Sequence, residues 1–88
     1  MTAVAAAIEA VLRQRLQPDS IQLRDDGHQH IGHPGAREGG HFAVRIVAPC
    51  FAGRSKLARH RLVYDALGPL KARGIHALSI EALAPGES

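Results

Sequence analysis

The sequence predicts an α+β fold: one three-stranded mixed sheet with helices packed on one face, in the order α-β-β-α-β. Three observations carry this expectation. Apolar residues recur every three to four positions over 4–16 and 57–67, and they alternate with other residues over 20–25, 41–48 and 75–82. Each change of period falls at a proline or glycine. With 88 residues, one domain is expected over 1–88, its ordered core spanning about 3–83.

The elements follow in order. Val4, Ile8, Val11 or Leu12, and Leu16 share one helical stripe, and Glu9 and Arg13 stand at i,i+4. Pro18 stops this helix, having no N–H to continue the ladder. Ile21 and Leu23 then alternate with Gln22 and Arg24, as in a strand covered on one face. Gly27 to Gly39 holds four Gly, one Pro and three His with almost no apolar side chain, so a long, mobile loop is expected over about 26–40. From His41 alternation resumes, with Phe42, Val44, Ile46 and Ala48 on one side of a second strand, antiparallel to the first. After Pro49 and a turn at Gly53, Leu57, His60, Val63 or Tyr64, and Leu67 form the stripe of a second helix, which Gly68 and Pro69 end. In the third strand His76, Leu78, Ile80 and Ala82 share one parity, and the helical crossover makes it parallel to the strand it joins. Residues 84–88 read as a flexible tail.

Composition narrows the function. Two Phe, one Tyr and no Trp leave the core to Val, Ile, Leu and Ala, so it is thin. A chain this small has no room for a large enclosed pocket, which disfavours most enzymes. Asp25 and Asp26, near the histidines, are the sole hint of acid–base chemistry, and an enzyme is not expected. The single Cys50 excludes an intramolecular disulfide and reads as a buried, inert thiol. No apolar run approaches the ~20 residues that span a bilayer, so no membrane partner is expected and the cytoplasm is the expected compartment. Residues 1–12 are apolar, but no Lys or Arg precedes them and Glu9 interrupts them, which favours a helix over a signal peptide.

Two features carry chemistry. Between residues 54 and 73, Arg54, Lys56, Arg59, Arg61, Lys71 and Arg73 face Asp65 alone, a local charge of +5, while the rest of the chain sums to −2. Such a segment can meet phosphates through counterion release. It equally describes a solvated helix face, since no aromatic residues are interleaved for base stacking. A KH-type phosphate clamp wants GxxG, and here Gly53 is followed by Arg54, Ser55 and Lys56 without the second glycine.

The second feature is histidine. His28, His30, His33 and His41 fall within fourteen residues, and His76 begins the last strand. Imidazole is the commonest metal ligand near neutral pH. The His-x-His-x-x-His spacing matches neither a zinc finger nor a helical His-Glu-x-x-His site, so a partial site completed by another molecule fits better than a self-contained one. His28 and His41, taken singly, read as exposed turn residues. His60, which shares its stripe with Leu67, reads as a packed, hydrogen-bonded histidine.

The segment RHRLVYDAL (Arg59 to Leu67), preceded by FAG (Phe51 to Gly53) and followed by IHALSI (Ile75 to Ile80), resembles the BolA family. HQHIGHPGA (His28 to Ala36) and HFAVRIV (His41 to Val47) extend the likeness to roughly residues 3–83. The chain departs from the family pattern at Gly27, where many members have Ser, and at Cys50, where a small polar residue is frequent.

The resemblance implies a fold similar to class II KH domains, in agreement with the order read from periodicity. It also implies an adaptor or regulator in iron–sulfur and iron homeostasis or the redox stress response. Such a protein binds a monothiol glutaredoxin and shares with it a [2Fe-2S] cluster that glutathione also ligates; the isolated chain is apo, a monomer or weak homodimer. On that pattern the metal ligands are His76, of the HAL segment, and a loop histidine, for which His30 is the choice and His33 the competitor. Imidazole in place of thiolate raises the cluster's potential and makes its ligation pH-sensitive. The alternative reading is a DNA-binding transcriptional regulator that uses Arg54, Lys56, Arg59 and Arg61.

Overall fold

The computed structural model describes residues 3–26 and 40–87. Helix α1 (Ala3–Leu16) leads into strand β1 (Ser20–Asp25), and strand β2 (Gly40–Val47) is followed by a 3-10 turn (Pro49–Phe51). Helix α2 (Lys56–Leu67), a second 3-10 turn (Lys71–Arg73) and strand β3 (Ile75–Leu83) complete the order. The sheet order is β1-β2-β3, with β1 antiparallel and β3 parallel to the central β2. The mixed α+β architecture expected from the sequence is therefore present.

Both helices lie on the sheet face to which Phe42, Val44 and Ile46 point. Helix α1 buries Ala5, Ile8 and Leu12, with Val4, Val11 and Leu16 packed beside them. It ends at Gln17, whose N–H reaches Arg13 O and whose φ of 48° is left-handed, just before Pro18. Ile8, Leu12, Ile46, Phe51, Val63, Leu67 and Ile75 are fully buried and form one apolar cluster.

Helix α2 is delimited by its ends. Ser55 caps it, its Oγ accepting from Ala58 N at 3.1 Å, and Gly68, at φ 71°, closes it by donating from its N–H to Tyr64 O. Arg73 Nε donates to Leu67 O and ties the following turn to the helix C-terminus. The buried stripe differs from the expected one. Val63, Ala66 and Leu67 are buried with Leu62 beside them, whereas Leu57 and Tyr64 are 62% and 40% exposed.

One further expectation changes. Gly40 pairs with Ile75 but His41 pairs with Ala77, so β3 carries one extra residue, His76, opposite β2. This bulge breaks the parity that would have grouped His76 with Leu78, Ile80 and Ala82, and it turns Ile75, 1% exposed, into the core instead. The residues after β3 make contacts with the domain as far as Glu87. Ala84 is buried, and the Arg59 guanidinium grips the Glu87 carboxylate at 2.6 and 3.1 Å.

The candidate metal-ligand site at the sheet end

The sheet end that carries His76 is built from backbone. Asp26 N donates to His41 O at 2.7 Å, and Gly40 N donates to Gly74 O at 3.0 Å. The chain thus leaves β1 and enters β2 beside the start of β3. Glycine is favoured at position 40 because a Cβ would lie 2.6 and 2.8 Å from two ring carbons of Phe42, which is packed in the core at 4% exposure. One residue later the bulge displaces His76 from the inward-facing set.

The consequence is a pair of histidines. His41 and His76 stack with ring centroids 5.0 Å apart and planes 25° from parallel. His41 has the same parity on β2 as Ala43 and Arg45, which line the helix-free face of the sheet. His76 is exposed and His41 half-buried. His76 is a site residue expected from the sequence, whereas His41, expected as an exposed turn residue, is half-buried within β2. Their pairing depends on a bulge, for which alternation over 75–82 gives no signal.

His28, His30 and His33 lie outside the described residues, as does most of the loop expected over 26–40. Among the described residues no three His, Cys, Asp or Glu side chains are gathered to hold a metal ion. His60 is half-buried beside Arg54, Lys56, Arg59 and Glu81 in the groove between the start of α2 and β3. Cys50 is half-buried, its Sγ 4.0 Å from Leu16 O.

The four basic residues singled out for nucleic acid have unequal surroundings. Arg54 Nε donates to Cys50 O at 2.8 Å. Arg59, with 13% of its side chain exposed, donates to Arg54 O and Ala82 O besides Glu87. The hydrogen-bonded Arg59 guanidinium holds the Glu87 carboxyl down at about 2, helped by the Ala84 N–H that donates to the same carboxylate at 2.7 Å. Lys56 and Arg61 are exposed on α2. No sequence pattern announced the Arg59–Glu87 pair, whose members stand 28 positions apart.

The helix-free face is polar. Gln22, Arg24, Ala43, Arg45, Ser79 and Glu81 line a shallow hollow, and Arg45 pairs with Glu81 directly across β2 and β3 at 3.0 Å. No helix among the described residues is long and apolar enough to cross a membrane.

Comparison with known proteins places this architecture. The family model described as BolA-like protein matches residues 12–87. An uncharacterized protein in the cobS 5′ region of a Sinorhizobium species is 42% identical over 83 residues, covering 91% of this chain and 89% of that protein. BolA-like protein 1 of Mus musculus is 42% identical over 84 residues, covering 96% of this chain; the chain spans 60% of the mouse protein's length. Among solved structures, the BolA domain of SufE1 from Arabidopsis thaliana superposes with a TM-score of 0.84 at 40% identity, covering 100% of this chain and 99% of that domain. The chain belongs to the BolA family.

Proposed function

We propose that this chain is a non-enzymatic adaptor that binds a monothiol glutaredoxin and shares a [2Fe-2S] cluster with it and with glutathione, serving iron–sulfur homeostasis or the redox stress response in the cytoplasm. The observation that carries the reading is His76 itself. A bulge turns it out of the core, and it stands exposed at a sheet end, where another molecule can reach it. The donor type fits the cluster, because imidazole can replace thiolate on one iron of a [2Fe-2S] centre. His76 would be one ligand, and a loop histidine, His30 ahead of His33, the second. When bound, the cluster supplies a redox centre whose potential rises with imidazole ligation. The chain itself presents the nitrogen donors and the docking surface.

The test is anaerobic co-expression with a monothiol glutaredoxin. A coloured heterodimer is expected, and His76→Ala should alter its visible spectrum. An unchanged spectrum in that variant removes His76 from the ligand set. The DNA-binding alternative draws on Arg54, Lys56, Arg59 and Arg61. One of these four, Arg59, is already charge-paired within the chain, to Glu87, which favours the adaptor reading.

A further inference from the structure

We propose that His41 is a positioning residue for His76: its ring packs against the His76 imidazole and fixes the orientation in which that imidazole meets a metal centre. The inference rests on the reading of His76 as a ligand, and it assigns a role to a histidine that the shared-cluster reading leaves unused.

Three observations support it. The rings are stacked at 5.0 Å and 25°, so His41 presents its face, rather than a converging nitrogen, to its neighbour. His41 is the better anchored of the two. It lies on the central strand, paired to β3 through Ala77, and its carbonyl accepts from Asp26 N. It is half-buried where His76 is exposed. Finally, His76 is the extra residue of a bulge, outside the regular pleat that would otherwise direct its side chain. An exposed imidazole at such a point samples several rotamers unless a neighbour selects one. A ligand whose orientation is set in advance binds metal more tightly than one that must be ordered on binding.

The mechanism makes a chemical distinction that substitution can read. His41→Ala removes the packing face. His41→Phe keeps an aromatic face and removes both nitrogens. If His41 acts through its ring, Phe restores what Ala loses; a ligating nitrogen would be lost in both.

Two measurements decide it. The first uses the isolated chain: the ring resonances of His76 in NMR spectra of wild type, His41→Ala and His41→Phe. They should move toward those of an unstacked imidazole in the Ala variant and stay displaced in the Phe variant. The second uses the glutaredoxin heterodimer, reading the visible circular dichroism of the cluster and its rate of loss to a chelator. By the scale of residues that orient metal ligands, His41→Ala should hasten loss roughly 10- to 100-fold, and His41→Phe should recover most of that. His76 resonances indifferent to His41→Ala overturn the proposal, as does a Phe variant as defective as the Ala variant. If the wild-type pair holds no cluster at all, the adaptor reading falls, and the resonances alone still decide whether His41 orders His76.

Discussion

Gly40→Ala tests the construction of the sheet end most directly. The added methyl carbon would sit 2.6 and 2.8 Å from two ring carbons of Phe42, where about 3.5–4.0 Å is comfortable for carbon pairs. One side must retreat by about 1 Å. The Phe42 ring cannot do so freely, because it is 4% exposed and packed among Val44, Ile46 and the rest of the core. Overpacking of this kind costs about 1–3 kcal/mol. Replacing glycine recovers about 0.4–1 kcal/mol by restricting the unfolded chain, so a net loss of about 1–2 kcal/mol is expected. For a domain of this length each kcal/mol moves the midpoint by about 4–8 °C. Thermal melts followed by far-UV circular dichroism should therefore fall by roughly 5–15 °C. The same steric argument predicts coupling. Phe42→Leu removes the offending ring carbons, so Gly40→Ala should be nearly neutral in that background. An equal loss in both backgrounds, or a Gly40→Ala variant as stable as the parent, refutes the steric account.

Three other outcomes follow from the structure. The Glu87 carboxyl is held below its ordinary 4.5, at about 2, so the stability it adds is complete above the ordinary value and is lost as pH falls from about 4.5 through about 2. Glu87→Gln should flatten the urea midpoint across that window, and a profile unchanged by the substitution would show that the Arg59 pair adds nothing. Phe51, fully buried beside the first 3-10 turn, should cost about 3–5 kcal/mol when truncated to Ala. A domain of this size holds roughly 4–13 kcal/mol in all, so a variant that melts near wild type would mean that Phe51 is not part of the packed core. For duplex DNA, four phosphate contacts predict a log–log salt slope of about −4 and three predict about −3. With Arg59 paired to Glu87 within the chain, a slope of about −3 or shallower is expected. A steep slope that flattens on Arg59→Ala would reinstate the DNA reading.

The elements were legible where one physical signal dominated. Alternation located β1 and β2, because each has one covered face and one polar face, and the stripe through Ile8 and Leu12 located α1 for the analogous reason. Helix α2 misled because it carries apolar residues on more than one side. The stripes through Leu57 and Tyr64 and through Leu62, Val63 and Ala66 are comparable in sequence, and only the sheet's position selects the second. The bulge at His76 was illegible for a different reason. Period-2 counting assumes that no residue is inserted, and the insertion is imposed by pairing with β2, 35 residues earlier at His41. The Arg59–Glu87 pair was illegible because the guanidinium that holds Glu87 comes from a helix 28 positions earlier.

These differences act together on the functional reading. Charge counting over residues 54–73 treats every basic side chain as available to a polyanion. The Arg59–Glu87 pair cancels one of those charges and directs its guanidinium toward the end of β3. The α2 surface that remains combines Lys56 and Arg61 with the exposed Leu57 and Tyr64. A duplex backbone rewards cationic side chains but gives little for burying an exposed leucine. A protein surface rewards both, with tyrosine and arginine among the residues enriched at such contacts. One substitution separates the two readings: under the adaptor proposal, Leu57→Ala should weaken association with a glutaredoxin while leaving any DNA affinity and its salt slope unchanged. If DNA affinity falls instead and glutaredoxin association does not, α2 faces nucleic acid.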